Sequence, residues 1–518
     1  MKYFYLFATI LFFQSSFSQN LLWENVYPNY LVLGKMIVVD SADKIISVGN
    51  GLNQAGYANY IYTQKMDSEG NLIWKDSIST TLPNNSHRAT WTGTDSSNNI
   101  IVVGYQFIFS LQNEIPNAIK VLKYSPSGEL LYNLTIPGTF NSGDIMGIRK
   151  RNMGIIDEFD NLYVGTAGIS NTSSQAGFIL FKLSSDGELI WERVKSFGNV
   201  HGIHGMNYKN GKIVLAGNTL ISGYNNQYAV WNSDGNLIWS GNSQNSYQTW
   251  ATDVLLDNSG NTYSLTQTYV GSIPYIGLTK YDTNGNVIFS QTYDIQVPAT
   301  SGRLKSLSSG ELIISGTNWS TGGENKLYVA KVSPTDGSVL YQNEQLLSQS
   351  NNWVYDVTVS ENDNYYFIGN SNNNGGAPSE TFIYAYSAEN GFEWTTMYNI
   401  QGTEPMAIVL DSEEKIYTVI QNRFTVVKFG NALSENLSLA QNNQRNTIYP
   451  NPTTDFLNFH LEDGIANSIR LFDINGREIY RGEIINNQLD VSNLTTGLYL
   501  GRIDSPNFES FTVKFVKK

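Results

Sequence analysis

Between residues 20 and 430 the chain alternates apolar and polar positions in short runs broken by Gly, Asn, Asp and Ser, the period-two pattern of half-buried strands. One segment type is a turn followed by an outer strand: MDSEGNLIW (66–74), YSPSGELLY (124–132), LSSDGELIW (183–191), WNSDGNLIW (231–239), YDTNGNVIF (281–289), VSPTDGSVLY (332–341) and SAENGFEW (387–394). Their glycines, Gly70, Gly128, Gly187, Gly235, Gly285, Gly337 and Gly391, recur at spacings of 48 to 59 residues. Glycine at a fixed turn position suits a backbone that needs φ > 0. A second type interleaves with the first: a short strand, a polar turn, then an apolar strand, as in MIVVDSADKIISVGN (36–50), DVLLDNSGNTYSLTQ (253–267) and AIVLDSEEKIYTVIQ (407–421). The two types make a unit of four antiparallel strands, A to D, repeating about every fifty residues.

A single four-stranded unit cannot cover both its faces, so such units stack around an axis as the blades of a β-propeller. The pattern therefore predicts an all-β fold, a propeller over residues 19–431. There are eight A–B hairpins but only seven complete C–D hairpins. The unit AIVLDSEEKIYTVIQNRFTVVKF (407–429) lacks a D strand, and NLLWENVY (20–27) is a D strand without a unit. The reading is an eight-bladed ring closed by the N-terminal strand, which leaves no free edge at the join. Two alternatives stay open here: LSENLSL (433–439) could form the last strand itself, and the blade count could be seven. The aromatic residue after each C–D turn is read as packing between blades.

From residue 432 to 446 the text turns polar and repeat-free, as a linker does. Residues 447–518 then show short alternating strands (FLNFHL, SIRLFDI, EIYRGEI, GLYLGRID, FTVKFVK) without the blade period, which predicts a small β-sandwich.

Three resemblances attach to these residues. The A–B hairpins resemble a bacterial β-propeller repeat family with the pattern D-V-x-x-D-x-x-G-N-x-Y; Asp253, Val254, Asp257, Gly260, Asn261 and Tyr263 fit best, and Asp356, Val357, Asn364 and Tyr365 fit second. The C–D turns are similar to the repeats of quinone-dependent dehydrogenase propellers. Asp67, Gly70 and Trp74 match with one residue fewer between Asp and Gly, and the adjacent cysteines often found in those cofactor pockets have no counterpart. No cofactor is expected. The third resemblance is the most specific. The C-terminal segment is similar to the type A sorting domain of proteins exported by the type IX secretion system of Bacteroidetes. The matching residues are Tyr449, Pro450, Asn451 and Pro452, then LFDINGREI with Gly476, LTTGLYLGRI with Gly497 and Tyr499, and the basic end Lys514, Lys517 and Lys518. This resemblance implies a protein secreted or held at the cell surface, with the type IX machinery as the partner of the C-terminal domain. It also implies cleavage of the domain, expected within 439–447.

The N-terminus agrees with that route. Lys2, the apolar run 3–13 and Ser16-Phe17-Ser18 before Gln19 form a secretory signal peptide over residues 1–18. No segment is a membrane-spanning candidate. With no cysteine, disulfides and thiolate chemistry are excluded. A formal net charge of −13 argues against nucleic-acid binding.

In propellers the D–A and B–C loops share one face, where ligands commonly sit. On or near that face fall His87, Trp91, His201, His204, Tyr224, Tyr247, Trp250, Tyr275, Trp319 and Trp353. Trp91, Trp250 and Trp353, at strand starts, are read first as inter-blade core. Trp319, His201, His204, His87, Tyr224 and Tyr275 are retained as candidate ligand contacts, since aromatic rings stack on sugars and peptides at low entropic cost. His201 and His204 lack a third ligand at standard spacing, so no metal site is expected. Asp253 and Asp356, in WATDV and WVYDV, could do acid–base work, but their repetition points to a structural hydrogen bond in each blade. DSEGN, DNSGN and DTNGN lack the distal Glu of a calcium loop and are read as hairpin turns. The expected function is binding of a glycan, peptide or surface partner; a glycan-active hydrolase or lyase and a purely structural surface component are the alternatives.

Overall fold

A computed structural model describes residues 21–430 and 446–518, apart from 28–31, 53–57, 81–84, 111–112, 141–152, 170–173, 199, 220–224, 243–248, 272, 297–301, 320–324, 346–350, 373–379, 388–390, 399–403, 422–423, 450–451, 462–467, 473–477, 485–486 and 505–510. The signal peptide and most of the linker lie outside these residues.

Residues 21–429 form eight antiparallel sheets, each with its strands hydrogen-bonded in sequence order. Blade 1 spans 32–79, blade 2 85–137, blade 3 139–196, blade 4 200–242, blade 5 249–296, blade 6 303–345 and blade 7 351–398. Blade 8 is built from Pro405–Leu410, Ile416–Ile420 and Thr425–Phe429, with Leu21–Val26 as its fourth strand. In blade 3 the inner strand is split: Thr139–Phe140 and Gly154–Ile156 both pair with Leu162–Ile169, so this blade begins earlier than the repeat pattern indicated.

Eight apolar clusters fill eight seams between consecutive blades. Ile46, Val48 and Ile61 of blade 1 meet Ala89, Val102 and Leu122 of blade 2, and the series continues round the ring. The eighth cluster joins Tyr417, Val419 and Val426 of blade 8 to Val32, Ile37 and Tyr62 of blade 1. The ring is closed, with eight blades, and the N-terminal strand supplies the last D position.

Its register is Leu21 opposite Phe429, Trp23 opposite Lys428 and Val26 opposite Thr425. Trp23 Nε1 donates to Ser68 O at 3.0 Å and Asn25 Nδ2 to Gly70 O at 2.9 Å, both in the C–D turn of blade 1. The same arrangement recurs around the ring. Each D-strand aromatic lies against the positive-φ glycine of the next blade's C–D turn: Trp74 under Gly128, Trp191 under Gly235, Trp239 under Gly285, Phe289 under Gly337. A Cβ on Gly128, whose φ is +94°, would stand 2.7 Å from the Trp74 ring, so both backbone and neighbour require glycine there.

The C-terminal unit has a core of its own, Leu457, Phe459, Ile469, Leu471, Tyr499, Ile503 and Phe515 among others. A three-stranded sheet (Asn446–Tyr449, Phe456–Leu461, Gln488–Asp490) and a four-stranded sheet (Ser468–Phe472, Glu478–Glu483, Gly497–Asp504, Phe511–Lys517) compose the β-sandwich.

Candidate functional site

Strands A and C run from the loop-side face toward the turns, so their first residues, with the last residues of B and D, frame the candidate ligand face. At the seam of blades 8 and 1 this frame carries four aromatic rings. Tyr27 follows the N-terminal strand, Tyr60 and Tyr62 stand on Ala58–Met66, and Phe424 precedes Thr425–Phe429. Tyr27 meets Tyr62 edge-on at 4.8 Å, and Tyr62 meets Phe424 edge-on at 5.2 Å. Tyr62 and Phe424 are buried, whereas Tyr27 and Tyr60 are half-buried and face outward in part. Burial, then the nearby Tyr27 hydroxyl, pushes the Tyr60 and Tyr62 phenols up, so both remain hydrogen-bond donors at neutral pH. Sequence reasoning did not select these rings, although the alternation NYIYTQ placed Tyr60 and Tyr62 on one strand face.

The residues selected from sequence are distributed around the ring. His87 lies on the inner strand Asn85–Thr94, 4% exposed, with Nε2 3.2 Å from Gln106 Oε1. Tyr275 is half-buried near the start of Ile273–Tyr281. His204 is half-buried at the bulge between Ile203 and Gly205. His201 and Trp319 lie within strands, but their side chains fall outside the described residues, as does the whole of Tyr224. Trp91 packs into the seam of blades 2 and 3, against Gly93 and Gly154, as its inter-blade reading anticipated. Among the described residues no three His, Cys, Asp or Glu side chains could hold a metal ion together.

The two repeated aspartates hold blades together. Asp253 Oδ2 accepts the backbone N–H of Leu304 in blade 6 at 3.1 Å, and Oδ1 accepts that of Val254 at 2.9 Å. Asp356 Oδ2 accepts the N–H of Ile408 in blade 8 at 3.1 Å. Burial pushes the Asp253 carboxyl up, against the pull of Lys305 and Arg303.

On the opposite face the A–B turns are stitched to one another. Asp43, Asn98, Asp160, Asp363 and Glu414 occupy left-handed backbone positions, which Asn and Asp adopt more readily than most residues. Each accepts a side-chain hydrogen bond from the preceding blade: Ser412 to Asp43, Ser41 to Asn98, Ser96 to Asp160, Ser308 to Asp363 and Asn362 to Glu414. The segment DSEGN folds as a hairpin turn, with Asp67 Oδ1 accepting the N–H groups of Glu69 and Asn71.

Below the turns lies a feature that sequence reasoning missed. Strand C carries a lysine at one register position, opposite the D-strand aromatic in five of the blades: Lys65, Lys123, Lys182, Lys280 and Lys331. Each comes within 4.0 Å of an A–B turn carboxylate, the shortest being Lys65–Asp40 at 2.8 Å and Lys123–Asp95 at 2.9 Å. In blades 4 and 7 the position holds Val230 and Ala385, and there the turns begin with Lys209 and Ser360 instead of an aspartate. The visible signal was the recurrent Lys in QKM, LKY, FKL, TKY and AKV.

In the C-terminal unit the two ends of the sorting pattern meet. Thr453, directly after exposed Pro452, bonds to the last strand through Thr453 N to Val516 O and Lys518 N to Thr453 O, both 2.9 Å. Lys517 is buried and exposed Lys518 ends the sheet. Tyr499 stacks on Phe515 at 5.6 Å and donates to Thr495 O at 2.7 Å, while Gly497 opens its strand. Tyr449 ends the first strand; Pro450, Asn451 and Gly476 lie outside the described residues.

Eight closed seams and eight four-stranded sheets define a β-propeller. Residues 447–518 match the family described as the secretion system C-terminal sorting domain. The protein is thus a secreted or cell-surface propeller that carries a type IX sorting domain and reaches the secretion machinery through it. Solved structures similar to this chain include the Dos1 propeller (9% identity, TM-score 0.47, covering 81% of this chain and 95% of that one). PorZ of Porphyromonas gingivalis, described as an essential bacterial surface component of the type IX secretion system, matches at 10% identity and TM-score 0.34, over 96% and 100% of the chains. Virginiamycin B lyase from Staphylococcus aureus matches at 12% identity and TM-score 0.41, over 79% and 98%. No curated protein sequence matches the chain.

Proposed function

We propose that the propeller is an extracellular binding protein whose loop-side face holds a glycan or peptide. The observation that carries this reading is the division of labour among its side chains. Asp253 and Asp356, the acids placed for chemistry by sequence, are committed to backbone N–H groups of neighbouring blades. On the loop-side face, the half-buried phenols Tyr27, Tyr60 and Tyr275 offer flat apolar surface with a polar tip. Trp319, His201, His204, His87 and Tyr224 are the further contacts of this reading. The test is a glycan and peptide array probed with the purified propeller, beside Tyr60→Ala and Tyr275→Ala variants. Retention of a defined ligand class, weakened in a variant of unchanged melting temperature, is expected. Turnover of a retained glycan, or no retention at all, would overturn the reading.

A further inference from the structure

The seam between blades 1 and 2 holds a buried ammonium group with no carboxylate partner. Lys120, on Asn113–Tyr124, is 6% exposed. It alternates with Ile119 and Val121, which face blade 3, and so lies on the blade 1 side with Leu122 and Tyr124. Among the described residues its Nζ has one partner, Thr135 Oγ1 at 2.9 Å, although an ammonium carries three donors. The buried C-strand lysines Lys65 and Lys123 behave differently, each within 2.9 Å of an aspartate. Burying an ammonium without a counter-charge is costly, so it either loses its proton or recruits an anion.

The surroundings favour the anion. The same sheet face carries His87, Gln106 and Asn117, linked by contacts of 3.2 and 3.4 Å, as neutral hydrogen-bonding groups. Burial and the adjacent Lys120 hold His87 below the ordinary histidine range, against the Gln106 bond, so the ring is neutral at pH 7. At the inner edge of the ring, half-buried Lys35 makes no hydrogen bond or ion pair among the described residues. Burial and Arg88 hold it below the ordinary lysine range, opposed by Glu404. Thus basic groups gather at blades 1 and 2 in a chain whose net charge is −13.

We infer that this seam is an anion site, with Lys120 Nζ the direct ligand of a halide or a small carboxylate and with Lys35 and Arg88 supplying the surrounding positive field. The inference is independent of the loop-face reading. Its test uses the full chain. Crystals soaked in bromide should show an anomalous peak within hydrogen-bonding distance of Lys120 Nζ. Thermal unfolding at constant ionic strength, with a bulky sulfonate buffer as the balancing anion, should show stabilisation by bromide or acetate. Lys120→Met should weaken that response at least tenfold in apparent Kd. A response to acetate alone identifies a carboxylate site, and a response to both identifies a general monovalent-anion site. Equal responses in wild type and Lys120→Met, or an empty seam in the bromide crystal, would overturn the inference.

Discussion

At the scale of single residues, the repeat has run its own exchange experiment. Where strand C offers a lysine, the A–B turn offers a carboxylate; where Val230 or Ala385 stands instead, the aspartate that opens the other turns has gone too. That pattern follows from the cost of leaving one buried charge alone. Removing one partner of a buried pair costs about 3–5 kcal/mol, whereas removing both is far milder. In the Lys123–Asp95 pair the side chains are 7% and 3% exposed. Lys123→Ala should therefore destabilise the propeller by about 3–5 kcal/mol. Adding Asp95→Ser, which copies blade 7, should recover part of the loss in a thermal-unfolding double-mutant cycle. Strict additivity would count against the pairing. The same pair sets an acid limit. Burial pushes the Asp95 carboxyl up, but Lys123 and Asn99 outweigh it and hold the group below its ordinary value. Its contribution is complete above the usual aspartate range, near pH 4, and should fade only as the pH falls through the lower folded value. A melting-temperature profile of wild type against Asp95→Ser would show the difference shrinking there.

At the scale of the strand and hairpin, much could be read in advance. Alternation located the strands, the C–D glycines located the turns, and the unmatched NLLWENVY announced how blade 8 is completed. Pairing between sheets was harder to see. The Ser412–Asp43 stitch spans 369 residues and exists only because the ring curves back on itself. The ligand face was legible least of all, because the loops do not share the repeat and so carry no pattern to compare. Each outer strand also shows a free edge with two half-exposed aliphatic residues, such as Leu72–Ile73 and Leu189–Ile190. A register shift accompanies each of these C–D hairpins, a bulge that twists the edge away from flat pairing with another chain. The N-terminal strand covers the one edge that would otherwise lie inside the ring. Removing residues 20–27 should lower the melting temperature and open blade 8, and a synthetic peptide of that sequence should restore much of the loss. An unchanged melting temperature after deletion would refute the latch.

At the scale of the whole molecule, two units with separate cores carry separate tasks. The propeller presents the surface, and residues 447–518 address the chain to its exit. Deleting 447–518 should leave the propeller's melting temperature unchanged and trap it in the periplasm, as judged by cell fractionation. Normal surface delivery of the truncated chain would remove the sorting role. The motif was legible because it is a linear signature at one end of the chain; the closure of Thr453 onto Lys518 that supports it is a contact between its two ends.

The eighth blade has a temporal consequence. Its outermost strand is the first part of the propeller to be synthesised, and its partner Thr425–Phe429 is the last. Every emerging copy must carry Leu21–Val26 unsatisfied until some four hundred residues have followed it, and a contact across that separation forms slowly. Sealing is therefore a final act rather than a nucleating one. Until it happens, an unfinished chain is marked by an exposed tryptophan at one end and a bare strand edge at the other.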